Sequence, residues 1–351
     1  MSELNLHVEQ TAESEDADLI HMEELNSHVE QETEIEAVDL IHMEELNSHV
    51  EQAAESVDLI HMEPFRPKIW VRKLFDDGTE LSPIICPRDV SDSEIARQAE
   101  VHLRQLPGIN LNVFHQLKLL KELGKIWSHE EQCLSWPDEK SDSCKYHYQN
   151  GSYSYFDAMS LAALLKKLQP KKILAFVDEL QYACFMDIIE LLHLDQTVCT
   201  FIEPDPNRLE GYAPLPADSR HTIVCSTLKI LDADYFAQLE AGDVLFVDTT
   251  HVAKAGSDVC RLFNRILPSL APLVWIHIHD VFWPFEYPNG WLVEGRSWNE
   301  LYILRAFLQF NNAFDIKFFL NYLWHFYETE CVQSFPDSAQ NPGGALWLQR
   351  K

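Results

Sequence analysis

Acidic and imidazole side chains close several apolar runs of this 351-residue chain, and any reactivity is to be sought there first. One run ends Ile202-Glu203-Pro204-Asp205-Pro206, another Leu245-Phe246-Val247-Asp248-Thr249-Thr250-His251, and a third Ile276-His277-Ile278-His279-Asp280. Open parallel sheets bind ligands beyond the carboxyl ends of their strands, so these residues would share one rim. An acid after the second strand of a nucleotide-binding half-sheet accepts hydrogen bonds from ribose hydroxyls, which is the placement of Glu203; a solvated strand-end carboxylate is the plain alternative. Asp248 and Asp280 would close neighbouring strands. With His251 or His279 they offer oxygen and imidazole ligands for Mg²⁺ or another divalent ion, or a base and its orienting acid. No chelating motif of the H-E-x-x-H kind accompanies them. His277 and His279 share one strand face, opposite Ile276 and Ile278, and one of the two is expected to be a satisfied core residue.

The elements that must position these residues follow from periodicity. Helices are expected over 91–106, opened by a Ser91-x-x-Glu94 capping box, and over 112–127, with a polar loop at 130–148. From 157 onward strands and helices alternate: helix 157–168, strand 172–177, helix 184–192, strands 198–203, 221–225 and 243–248, helix 258–267, strand 273–279, helix 298–310, strands 314–319 and 345–349. Apolar strands alternating with helices of this length imply a parallel sheet covered on both faces, a doubly wound α/β domain.

Composition narrows the remaining classes. With 46% hydrophobic residues the chain can bury a sizeable core. The longest uncharged stretch, 266–279, is too short to span a bilayer and holds Pro268 and Pro272, and no basic-then-apolar leader opens the chain; a cytoplasmic location and no membrane are expected. A formal charge of −29 argues against nucleic acid, which needs clustered Lys and Arg. Residues 1–63 carry 19 acids and no Lys or Arg, leaving 37 acids against 27 bases elsewhere. This extension is a tandem repeat: LIHMEELNSHVEQ stands at 19–31 and again at 40–52, a period of 21 residues or three heptads. We read it as a partly helical or disordered appendage suited to a protein partner. Domain limits of 1–63, 64–149 (helical) and 150–351 follow. The 8 cysteines show no C-x-x-C pair and are expected to be buried free thiols, Cys199 and Cys225 acting as small hydrophobes.

Longer stretches bring a family into view. DVLFVDTTHV at 243–252, HIHDVFWPFEYP at 277–288, Gly256-Ser257-Asp258-Val259, Arg296-Ser297-Trp298-Asn299-Glu300 and Gly343-Gly344-Ala345-Leu346-Trp347 together resemble the bacterial branch of class I S-adenosylmethionine-dependent methyltransferases that carries D-x-L-F-x-D-S-S-H-V and H-x-H-D-I-F-x-P-F-E-Y-P. The resemblance covers about 200 residues and implies a Rossmann-like, seven-stranded sheet with its last strand antiparallel. It further implies S-adenosylmethionine contacts from Glu203, Asp178, Tyr155 and Asp248, a divalent metal such as Mg²⁺ on Asp248 and Asp280, and catalysis by His251, His279 and Asp280 on an O or N of a small molecule or saccharide. A neutral histidine would take the acceptor's proton. The departure lies after the first strand. Where the family has an acid and a glycine-rich turn, this chain reads Ala175-Phe176-Val177-Asp178-Glu179, so Asp178 or Glu179 must take over, the pocket must be rearranged, or cofactor binding is lost and a non-catalytic scaffold or binding protein remains. A metal-dependent hydrolase or oxygenase built on Asp248, His251, His279 and Asp280 is a third reading. Around them, Pro284 to Pro288 and Trp291 form a stiff aromatic loop that shapes a pocket or packs the sheet end, and Arg296 and Glu300, four apart, are placed to pair.

Overall fold

The computed structural model describes residues 77, 79, 82–134, 136–215 and 219–351, all within the unit Lys73–Lys351. The repeats at 1–63, and their expected appendage character, lie outside the described residues.

Seven strands form one sheet: Lys172–Phe176 (β1), Val198–Glu203 (β2), Thr222–Cys225 (β3), Val244–Val247 (β4), Trp275–Ile278 (β5), Phe314–Phe319 (β6) and Leu346–Arg350 (β7). Their order is β3-β2-β1-β4-β5-β7-β6. β1 to β5 run parallel, and β7 is antiparallel to both β5 and β6. This is the doubly wound, Rossmann-like seven-stranded arrangement. β4 and β5 are buried at every position, as continuous apolar strands covered by helices on both faces must be. The chain winds outward from β1 in one direction through β2 and β3, then returns to β1's other side for β4 and β5. That reversal opens a crevice at the carboxyl ends of β1 and β4.

The helices depart from expectation at their ends. The first spans Pro87–Glu100, because Pro87 presets the first helical φ and Asp89 accepts the Cys86 backbone N–H at 2.7 Å. Ser91 therefore sits inside the helix, its hydroxyl bonded back to the Pro87 carbonyl. The second runs Val113–Leu134 and takes in residues expected to be loop. Its Gln116, fully buried, donates to the Leu111 carbonyl and accepts from Phe319 N, tying this helix to the end of β6. A helix over Glu179–Leu191 starts five residues earlier than expected, and Leu320–Ser334, read as no element, is helical on either side of a kink at Tyr327 and is entered directly from β6. Its aromatic-rich sequence and uncapped start hid it. The cysteines are free thiols, but Cys225 is exposed, since β3 is the sheet edge, and Cys133 is exposed on its helix.

Candidate functional site

A cavity of about 560 Å³ opens at the crevice. Its wall takes Phe176, Val177 and Asp178 after β1, Ile202 to Pro204 from β2, Thr227 to Lys229 after β3, Asp248 to His251 after β4 and His279 and Asp280 after β5, with Trp291, Arg296 and Trp298 closing one side. Glu203, Asp248, His251, His279 and Asp280 are thus brought to one rim. The backbone concentrates strain there: His251 and Asp280 both have φ near +58°, in the left-handed region that side chains rarely adopt.

His251 is the hub. Its Nε2 lies 3.2 Å from Asp248 and 3.4 Å from Asp280, and its Nδ1 lies 2.8 Å from Glu300. Glu300 also accepts the Thr249 hydroxyl at 2.7 Å, Gln181 donates to Asp248 at 2.7 Å, and the Trp298 ring lies 4.4 Å from the imidazole. Burial disfavours the imidazolium, but the Asp248 and Glu300 hydrogen bonds and their charges outweigh it and raise the His251 pKa to about 10. Burial likewise works against the Asp248 carboxylate, yet His251 and His279 hold it down to about 2. Asp280 moves the other way: burial raises its pKa, opposed by His279. His279 is raised as well, burial being overcome by Asp280, Asp248 and Asp157. For His251 this runs against the expectation of a neutral base, because Asp248 and Glu300 hold the proton on its imidazole.

Other expected residues stand elsewhere. Asp178 lines the cavity but is the N-cap of Glu179–Leu191: its Oδ1 accepts from Leu180 N at 2.9 Å and Gln181 N at 2.7 Å, and its Oδ2 accepts from the Ser152 hydroxyl. The Asp178-x-x-Gln181 capping box was legible in the sequence. Glu179 is bound by Arg208 through two bonds of 2.8 and 2.9 Å. Ala175 is fully buried in the sheet, outside the cavity wall. Tyr155 is absent from the rim: it stacks on Tyr148 with centroids 4.6 Å apart and donates to Asp138, beside a separate hollow. Glu203 is placed as expected, its Oε1 accepting from Asp205 N at 3.0 Å and lying 3.4 Å from Arg208. Phe285 and Tyr287 are buried, and Glu286 accepts from Ser93 and Tyr302, so that loop packs the sheet end, apart from Trp291. Arg296 pairs with Glu294 and lies over Trp291 and Trp298, while Glu300 serves His251; the expected Arg296–Glu300 pair does not form. Of His277 and His279, His277 is the core residue, fully buried and stacked on Phe246.

For a metal, Asp248, His251 and Asp280 are the group among the described residues whose ligand atoms gather closely enough, all within 4.8 Å of one another. Glu300 behind His251 resembles the carboxylate that orients a metal-bound imidazole. The donor set fits a hard divalent cation, on the condition that it displaces the Nε2 proton.

No family model matches the chain, and no curated protein matches it. Among solved structures, one from Thermobifida fusca YX is 12% identical with a TM-score of 0.26 over 36% of this chain, and the chain spans only 55% of its length. The mitomycin 7-O-methyltransferase MmcR is 11% identical with a TM-score of 0.34 over 55% of this chain and 56% of its own. Coclaurine N-methyltransferase bound to N-methylheliamine and SAH is 11% identical with a TM-score of 0.30 over 74% of this chain and 95% of its own. The architecture rests on the strand order itself: a doubly wound, Rossmann-like α/β sheet with β7 reversed, and a cavity at its switch point lined by Glu203, Asp248, His251, His279 and Asp280.

Proposed function

We propose that the chain is an S-adenosylmethionine-dependent methyltransferase acting on an oxygen or nitrogen of a small molecule or saccharide. The observation that carries this reading is the cavity at the β1/β4 switch point, with Glu203 at the tip of β2 as its ribose acceptor. Its wall holds five acids, Asp178, Glu203, Asp248, Asp258 and Asp280, which can face a sulfonium, while Arg208, Lys229, Arg296 and the His251 imidazolium balance most of their charge. Phe176, Val177, Ile202 and Leu228 offer the apolar surface a purine needs. When bound, the cofactor supplies an electrophilic methyl group.

The protein's part is binding, orientation and proton handling. Glu203 accepts from the ribose hydroxyls. Trp291, Trp298 and Arg296 form the wall against which an acceptor is seated, and seating it in line with the methyl group supplies much of the acceleration. Asp280 takes the acceptor's proton, helped by a raised pKa, while the His251 imidazolium keeps Asp248 and Asp280 from repelling each other. A divalent cation on Asp248, His251 and Asp280 would take over that charge-balancing role.

A second reading keeps the cavity but not the chemistry: a non-catalytic binding protein for a small cation. It is favoured by Val177, whose side chain stands where close approach of the cofactor's methionine part calls for glycine. Calorimetric titration of the full chain with S-adenosylmethionine and its demethylated product tests both. Micromolar binding that weakens about 10-fold or more in Glu203→Ala, as loss of charged hydrogen bonds worth about 1.5–3 kcal/mol demands, supports the enzyme. No heat with either compound at millimolar concentration removes it.

A further inference from the structure

One side of the cavity is built from a separate stretch of chain. The short helix Asn289–Val293 gives way to Gly295, whose φ of +87° turns the backbone so that Arg296 N bonds back to the Trp291 carbonyl at 3.1 Å. Arg296 is thereby folded over two indoles: its guanidinium carbon lies 4.4 Å from the Trp291 ring and 4.9 Å from the Trp298 ring. This stretch hangs on the segments that follow β4 and β5. Asn299 N and Glu300 N donate to the His251 carbonyl, the Asn299 side chain bonds both backbone groups of Ala253, and Trp291 packs edge-on against Phe282.

Arg296 differs from the other side-chain cations of the wall. Arg208 is taken up by Glu179 through two bonds and lies beside Glu203, and Lys229 is exposed. Among the described residues Arg296 has one hydrogen-bonding partner, Glu294, whose Oε2 faces both Nε and Nη2 at 2.9 Å. A guanidinium carries five N–H groups, so with Glu294 on one edge the Nη1–Nη2 edge remains for a second oxyanion. Glu294 is 58% exposed and Arg296 37%, which makes their pairing a weak surface one that a ligand can outcompete. The same charge reaches the reacting end: burial raises the Asp280 carboxyl, and Arg296 is among the groups that oppose the rise. Glu203 and Asp280 stand at the ends of β2 and β5, three strand spacings or about 14 Å apart, so the Arg296 fork lies toward the opposite end of the cavity from the ribose acceptor. We propose that Arg296 is an anion clamp in the acceptor subsite, and that the methyl acceptor carries a carboxylate close to its reactive oxygen or nitrogen. The naming of the bound anion as a methyl acceptor rests on the function proposed above; the anion site itself does not. Two indole rings hold the fork in one plane, and a planar carboxylate meets it through two parallel bonds.

The test titrates the full chain, with isotope-labelled arginine and tryptophan, against glucuronate and benzoate. Glucose and benzamide are the neutral counterparts, and glucose 6-phosphate is the phosphate one. The two carboxylates should shift the Arg296 side-chain and the Trp291 and Trp298 indole resonances, while the neutral compounds leave them in place. Read at the indoles, Arg296→Gln should weaken carboxylate binding about 10-fold or more, and Arg296→Lys, which keeps the charge without the fork, should not restore it in full. Glu294→Gln, at an exposed position, should strengthen it by removing the competing carboxylate. Saturation with the demethylated product of S-adenosylmethionine should leave carboxylate binding intact. The inference is overturned if the neutral compounds bind as well as the acids, if only the phosphate binds, if Arg296→Gln binds like the wild type, or if no compound shifts these resonances. Displacement of the carboxylates by the demethylated product also overturns it, since Arg296 would then be a cofactor contact. Carboxylate shifts that persist in a chain giving no calorimetric heat with the cofactor would strike the methyltransferase reading alone.

Discussion

Replacing Glu300 with glutamine removes one of three carboxylates around His251 while keeping its size and one acceptor oxygen. Glu300 is 1% exposed, and its Oε2 serves both His251 Nδ1 and the Thr249 hydroxyl. Raising an imidazole pKa from 6.5 to about 10 corresponds to about 5 kcal/mol of linked stability, at about 1.4 kcal/mol per pH unit. Seen from Asp248, whose pKa falls from 3.8 to about 2, the linked amount is about 2.5 kcal/mol. Both figures sum burial against several partners, of which Glu300's share in the His251 shift is about 1–3 kcal/mol. Because the folded-state pKa lies above the unfolded one, this stability is fully present below pH 6.5 and is lost as the pH rises through about 10. Glu300→Gln should therefore lower the melting temperature by about 3–9 °C at pH 6–8, at about 2–4 °C per kcal/mol. The gap should narrow toward pH 10, where the wild type keeps a buried carboxylate without its cation. Calorimetric melts from pH 6 to 10, with an NMR titration of the His251 ring, decide the matter. Coincident melts at neutral pH, or a His251 titration near 6.5, would refute the reasoning.

Asp157→Asn should stabilise the protein at pH 7 and not at pH 4: burial raises this carboxyl to about 6, so the wild type loses up to about 3 kcal/mol as pH climbs from 3.8 through 6, whereas an amide keeps an acceptor for the Gly344 N–H at no such cost. Melts at the two pH values check the sign. Gly124→Ala should lower the melting temperature despite alanine's helix advantage of about 1 kcal/mol, because its Cβ would stand 2.6 Å from Ser334 Cβ and 2.8 Å from that residue's backbone, an overlap costing about 1–3 kcal/mol or more. A rise in melting temperature would show that the helices Val113–Leu134 and Leu320–Ser334 separate freely.

Strands such as 198–203 and 314–319 were legible to the residue, because each is a short run rich in apolar residues bounded by polar or turn-forming ones. Helix ends were less so: Pro87 and Asp178 set two starts through capping bonds that compete with stronger-looking signals nearby. The strand-end residues Glu203, Asp248, His251, His279 and Asp280 could be named in advance, since a strand's last residue has only one rim to occupy. Their partners could not. Glu300 reaches His251 across 49 positions of chain, Gln181 reaches Asp248 across 67, and Tyr155, close in sequence to the cavity residue Ser152, turns to another surface.

By itself, then, the amino-acid order determined which side chains would lie at the carboxyl edge of a doubly wound sheet, because alternation and burial are local properties. Only the folded chain decided their protonation and their company. A histidine becomes a lasting cation and an aspartate a helix cap through charges and backbone N–H groups brought within about 3 Å, where electrostatic interactions are strong and water does not dilute them.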